Sequence, residues 1–289
     1  MRIGVIGDVH LDLDDVDVAQ LDALEYDRLF FVGDLASYSH KGGLEVARRI
    51  ARFATPALVV PGNHDAANVF QMAAEMFEAD VILPLLNVGQ RTRVSELTAA
   101  LGRATIAGYS VHPLEAPWGR VVVIAGRPHS AGGTHLAFRP HLKAVYGVDS
   151  MERSAEKLEA LVDACDTDEL LFVAHNGPSG LGDRRDDIWG CDFRANEGDF
   201  GDPDLERAVR YAKRRGKKVR AVIAGHMHHR LRGGGQRRWL LERDGTLYVN
   251  AARVPRIFSR GARTLRHHVE LVVEADRVEA REVLLEGDP

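Results

Sequence analysis

Ile3-Gly4-Val5-Ile6-Gly7-Asp8-Val9-His10 is a short apolar run followed at once by a carboxylate and an imidazole. A run of this kind bounded by glycine reads as a buried β-strand, and the polar pair beyond it stands where the strand leaves its sheet. The arrangement returns four times. Leu29-Phe30-Phe31-Val32 leads to Gly33-Asp34, and Ala57-Leu58-Val59-Val60 to Gly62-Asn63-His64-Asp65. Leu170-Leu171-Phe172-Val173-Ala174 leads to His175, and Val219-Arg220-Ala221-Val222-Ile223 to Gly225-His226-Met227-His228. Strand ends along one sheet edge bring together side chains distant in sequence, on a rigid scaffold that stays open to a ligand. Carboxylate, imidazole and amide oxygen together suit first-row divalent or trivalent metals.

Taken singly, Asp8 and Asp34 fit turns or helix caps, His175 fits a satisfied buried histidine, and Asn63-His64-Asp65 fits turn chemistry. Taken together these readings fail. So many ligand groups converging without a cation would leave buried carboxylates and imidazoles unpaired, at several kcal/mol each.

The ordered set D-x-H, G-D, G-N-H-D, a lone His after a strand, and G-H-x-H resembles the calcineurin-like metallophosphoesterase superfamily, with every element present between positions 8 and 228. The resemblance implies a four-layer αββα sandwich, two mixed β-sheets flanked by helices. Strand–helix alternation followed by a strand-rich end fits that architecture. Because the ligands run from residue 8 to residue 228, we expect one domain over residues 1–289. The resemblance also implies two metal ions. Asp8, His10, Asp34 and His228 match the ligands of one, and Asp34, Asn63, His175 and His226 those of the other, with Asp34 bridging. Manganese and/or iron is expected, and zinc or nickel suits the same donors. The implied reaction is hydrolysis of phosphate esters by a hydroxide held between the metals. His64 would protonate the leaving oxygen, and Asp65 would orient the His64 ring.

Beyond these motifs, helices are expected over Asp14–Glu25, Gly43–Phe53, Ala66–Phe77 (capped by Asp65), Ser150–Ala164 and Asp204–Arg215. Late strands are expected at Arg238–Leu241, Thr246–Asn250, Arg266–Val273 and Arg277–Leu284. Residues 108–150 and 176–203 read as long irregular loops lining the site, the first with one short helix. Arg253 and Arg256, and Arg184 and Arg194 in the second loop, are candidates to hold the substrate phosphate. His229 reads equally as a support to the ligands or as exposed. His112, His129, His135 and His141 read as surface-loop residues, with lining of the pocket as the alternative, and His40, His267 and His268 as surface.

Composition narrows the function. The chain has 289 residues, 45% hydrophobic and 28% charged, with a formal net charge of −4. That acidic balance disfavours nucleic acid and membranes as partners, and no apolar run approaches the roughly 20 residues that span a bilayer. Cys165 and Cys191 form no C-x-x-C pair and read as free thiols of a reducing compartment. Met1-Arg2 leads directly into the first ligand strand, so no signal peptide is read, and the expected location is the cytoplasm, or an organelle stroma after loss of a transit segment. The preferred substrate is a small-molecule phosphomonoester, because the two loops would narrow the mouth against polymers. A phosphodiesterase, on cyclic nucleotides or other diesters, is the alternative. Gly33-Asp34-Leu35-Ala36-Ser37 lacks the G-D-x-V-D-R-G pattern of protein phosphatases. The full ligand set speaks against a silent binding scaffold.

Overall fold

All five apolar runs become strands, divided between two sheets. The computed structural model describes residues 1–68, 70, 71, 75, 89–194 and 198–287. In the first sheet β1 (Arg2–Ile6), β2 (Arg28–Phe31), β3 (Ala57–Val59) and β4 (Thr105–Ile106) run parallel. In the second sheet lie β5 (Ser110–Ala116), β6 (Gly119–Ala125), β7 (Glu169–Val173), β8 (Lys218–Ala224), β9 (Leu240–Arg243) and β10 (Thr246–Asn250). Its order is β5-β6-β7-β8-β10-β9, with β6, β7, β8 and β10 parallel and antiparallel edges. Sheet one is completed by β11 (Ile257–Arg260), β12 (Arg263–Val273) and β13 (Val278–Glu286). β12 lies antiparallel on the free flank of β1, with Ile3 opposite Leu271, and pairs with both β11 and β13.

Side chains alternate across a strand, so each sheet has two faces to cover. The inner faces meet in an apolar layer of Ile3, Val5, Phe30 and Val32 against Val121, Val123, Leu171, Val173 and Ile223. The outer face of the first sheet packs on α1 (Asp15–Ala23), α2 (His40–Ile50) and α3 (Gln90–Leu101). That of the second packs on α4 (Arg139–Tyr146), α5 (Met151–Asp163) and α6 (Pro203–Arg214). This is the expected αββα sandwich. Local chemistry sets the helix starts. Asp14 and Asp17 form a capping box on α1, Ser150 caps α5, and Pro203 occupies the first turn of α6. Among the described residues, no helix is long and apolar enough to cross a membrane.

The structure corrects several expectations. Residues 108–150 are not one irregular loop, because β5 and β6 form a hairpin there and only 126–138 is irregular before α4. Val121-Val122-Val123-Ile124 is a β-branched run suited to a buried strand. Pro113 is tolerated because β5 is an edge strand, where a missing N–H leaves no ladder bond unmade. Strand β11 has no counterpart among the expected strands. Half of the expected helix over Ala66–Phe77 falls outside the described residues, and Asp65 does not cap it. Ala66 is left-handed (φ 58°), and the cap-like bond comes from Asn68 Oδ1, which accepts the Gln71 N–H at 2.8 Å.

Candidate metal centre

Every motif residue follows the C-terminal end of a parallel strand, the edge where open α/β sheets place their ligands. Asp8 and His10 follow β1, Asp34 follows β2, Asn63 and His64 follow β3, His175 follows β7, and His226 and His228 follow β8. The loops are laced together. The His10 N–H donates to the Asp34 carbonyl and the Gly225 N–H to the His175 carbonyl, each at 2.7 Å. Asp8, His10, Asp34 and His226 all adopt left-handed backbone, with φ of 44°, 44°, 52° and 69°. Such residues cost about 1–3 kcal/mol each and persist where surrounding structure fixes them. The motif glycines answer a second constraint. A Cβ at Gly62 would overlap Asp34 Oδ1, and one at Gly33 would overlap the His175 ring.

Two clusters result: Asp8, His10 and His228, and Asp34, His175 and His226. Asp34 joins them, with Oδ1 3.5 Å from His175 Nε2 and Oδ2 3.7 Å from His10 Nε2. A carbonyl oxygen only accepts, so the imidazole nitrogen facing one carries the proton. This assigns Nδ1–H to His10 (Ala36, 3.1 Å), Nδ1–H to His175 (Val32, 2.7 Å) and Nε2–H to His226 (Ala131, 3.1 Å). The other nitrogens present lone pairs inward. His175 Nε2 faces His226 Nδ1 at 3.2 Å and Asn63 Oδ1 at 2.9 Å, acceptor against acceptor. Buried Asp8 Oδ2 has no hydrogen-bond partner and lies 3.5 Å from His228 Nε2. A cation between these atoms turns each repulsion into a bond, so the donor set fits metal.

The electrostatics agree. Burial, reinforced by the Asp34 charge, pushes Asp8 well above the usual carboxylate range. Burial opposes ionisation of Asp34 too, but His175, His64, His10 and His226 outweigh it and hold Asp34 below that range. Burial keeps His175 and His226 below the ordinary histidine value, and with His10 nearby it brings His228 to about 4. Neutral imidazoles are the form that ligates metal.

The sequence pattern of calcineurin-like phosphoesterases matches residues 1–230. The chain belongs to the calcineurin-like phosphoesterase family. The family implies two divalent metal ions and makes the chain a metal-dependent phosphoric ester hydrolase. Among solved structures, the fold is similar to a dimetal phosphatase from Danio rerio (14% identity, TM-score 0.55, covering 99% of this chain and 98% of that one). It is also similar to the protein TT1561 of Thermus thermophilus (11% identity, TM-score 0.55, covering 97% of each chain). No curated protein matches by sequence.

In this phosphoesterase His64 stands beside both clusters. Its Nδ1–H donates to the Ser37 carbonyl at 2.5 Å, and its Nε2 lies 4.0 Å from Asp34 Oδ2. Burial would lower its pKa, but Asp34, the Ser37 carbonyl and Asp65 raise it overall. Asp65 does not orient the ring through a hydrogen bond. Its carboxylate accepts the N–H groups of Gly62 (2.8 Å) and Ala36 (3.0 Å), folding the G-N-H-D turn onto the Asp34 loop. Burial and the Asp34 charge raise Asp65 to about 7.

The arginine candidates fare worse. Arg256 is 1% exposed and grips both oxygens of Asp17 at 2.7 and 2.8 Å, so it is unavailable to substrate. Arg253 lies over the Phe258 ring at 4.4 Å and 3.6 Å from Glu282. Arg184 pairs with Asp186 at 3.2 Å, and Arg194 is partly buried. Several histidines read as surface are interior. His267 and His268 are buried on Glu282 (2.9 Å) and the Tyr26 hydroxyl (2.8 Å). His229, read equally as a support to the ligands or as exposed, is buried and donates to the Asn250 carbonyl at 2.8 Å. His129 and His141 are buried, and the His129 ring donates to the Gly62 carbonyl at 3.0 Å.

Sequence reasoning missed the frame behind the phosphoesterase centre. Arg127 is 1% exposed, 3.1 Å from Asp202 and 3.0 Å from Asp204. Asp202 Oδ1 also accepts from Ser130 Oγ (2.7 Å) and Asn176 Nδ2 (3.0 Å). These bonds lock segment 126–138, which supplies the Ala131 carbonyl to His226, against the chain leaving His175. Asn250, at the buried end of β10, does the same for the last motif, donating to the Met227 carbonyl at 2.7 Å. An Asn closing the apolar run Leu247-Tyr248-Val249 was the available signal.

Proposed function

We propose that the chain is a single catalytic unit hydrolysing small phosphomonoesters. Asp8, His10, Asp34 and His228 hold one metal and Asp34, Asn63, His175 and His226 the other, manganese and/or iron, with zinc or nickel as substitutes. The observation that carries this reading is the inward lone pairs of His175 and His226 beside an Asp34 whose two oxygens face different clusters. Bound cations supply an activated water at neutral pH and positive charge for the phosphoryl oxygens. The protein's own groups do the rest. Ser37 fixes His64 with only Nε2 free, so that nitrogen delivers the proton to the leaving oxygen. Backbone carbonyls of Ala36, Val32 and Ala131 hold three ligand rings in the tautomer that binds metal. The monoester preference is supported by crowding on one side, where Phe200 stacks on His226 at 6.3 Å and Ala131 abuts it.

Two measurements test it. Metal-stripped protein reloaded separately with manganese, iron, zinc or magnesium is expected to hydrolyse p-nitrophenyl phosphate and to leave bis-p-nitrophenyl phosphate nearly untouched. Preference for the diester would transfer the assignment to a phosphodiesterase. For the ligands, His226→Ala is expected to lower the bound metal from about two to about one per chain, read by elemental analysis after dialysis. Two metals retained at wild-type affinity would remove His226 from the ligand set.

A further inference from the structure

Six large apolar side chains are exposed among the described residues, and four of them follow metal-centre residues in the chain, three on loops and Phe70 in a helical turn. Leu11 (41% exposed) follows His10, Tyr38 (70%) follows Asp34 by four positions, Phe70 (75%) follows Asp65 by five, and Phe193 (37%) lies on the segment that leaves His175. Exposed apolar side chains scattered singly need no explanation, but a group around a functional centre marks a binding surface.

Two of the four are linked to the centre by ring contacts. The Tyr38 ring meets the His64 ring edge-on, with centroids 5.7 Å apart and planes at 65°. On the second sheet's side, Phe193 meets Phe200 at 5.0 Å, and Phe200 lies nearly parallel to His226. Arg232 covers Phe193 at 5.5 Å. The Arg256 guanidinium is committed to Asp17, while Arg253 and the exposed Arg184 lie beside Glu282 and Asp186.

On this basis we propose that Tyr38 is a specificity-determining residue that stacks on the organic half of the substrate, and that the substrate is a phosphate ester whose alcohol carries an aromatic ring. The proposal rests on the phosphoesterase reading with His64 as proton donor. Because Ser37 occupies Nδ1 of His64, the leaving oxygen would sit at Nε2, and Tyr38, which touches the same ring and is 70% exposed, is an apolar side chain placed beside it. The contact with His64 is edge-on, so most of the exposed Tyr38 ring is open to a second partner. A planar aromatic group covers such a ring better than a sugar hydroxyl does, and stacking of this kind changes affinity by roughly ten- to a hundred-fold.

The test compares adenosine 5′-monophosphate with ribose 5-phosphate, which share the ester and differ by the base, in metal-loaded wild type, Tyr38→Ala and Tyr38→Phe. The wild type is expected to favour the nucleotide by about tenfold or more in kcat/KM, chiefly through KM. Tyr38→Ala is expected to collapse that ratio towards one, and Tyr38→Phe to keep it. Equal kcat/KM for both esters in the wild type, or a ratio unchanged in Tyr38→Ala, overturns the proposal. Should p-nitrophenyl phosphate alone be hydrolysed, a kcat/KM for it unchanged in Tyr38→Ala overturns the proposal, because that ester also carries an aromatic ring. Failure to hydrolyse any of the three with two metals bound overturns the phosphoesterase reading along with it.

Discussion

Replacing His64 with alanine is expected to lower kcat by about 10²- to 10⁴-fold while two metals remain bound. The separation of effects follows from the geometry. His64 touches Asp34 through its backbone N–H (2.9 Å), which alanine keeps, and its Nε2 stands 4.0 Å from the carboxylate, outside the ligand clusters. On the proposed reading the side chain contributes a proton and not a ligand bond. Steady-state kinetics on p-nitrophenyl phosphate, paired with metal analysis of the same preparation, checks both halves. Metal lost with turnover per bound metal preserved would make His64 a ligand and end its assignment as the acid.

The second large effect concerns stability. Arg127→Met is expected to destabilise the fold by about 3–5 kcal/mol, because it leaves the buried carboxylates of Asp202 and Asp204 without their cation. Burial, opposed by Arg127 and reinforced by Asp204, already pushes Asp202 to about 7, so the balance at this cluster is tight. Urea unfolding of the variant beside wild type measures the loss, and Arg127→Met combined with Asp204→Asn should recover part of it. A midpoint within experimental error of wild type would mean that the cluster is neutralised in some other way. The same bonds hold Ser130 and Asn176, so weaker metal retention at the His175–His226 cluster is expected to accompany the loss.

These two residues illustrate what the sequence displays and what it hides. His64 sits in a local motif whose strand, glycine and neighbouring ligand are contiguous, so its surroundings can be read by eye. Arg127 lies in a stretch rich in Gly, Pro and His, and its partners are 75 and 77 positions away. The same stretch conceals the β5–β6 hairpin, because periodicity cannot show that a proline falls on a sheet edge. By type and place Arg256 resembles a phosphate ligand, yet its partner Asp17 is 239 residues distant. Which ring nitrogen of His10, His175 or His226 points inward depends on carbonyls that have no side-chain signature. Contiguous chemistry was legible, and long-range pairing and backbone acceptors were not.

The pairing of β1 with β12 carries a consequence for synthesis. The strand leading to Asp8 and His10 is made before every other strand described, yet its flank is closed by residues 269–272, near the far end of the described chain. A nascent chain thus exposes an apolar strand with an unpaired edge until residues 269–272 have been made, the kind of surface that recruits chaperones or aggregates. The candidate metal centre is itself complete only once His226 and His228 have been made, so its two clusters assemble after most of the described chain exists.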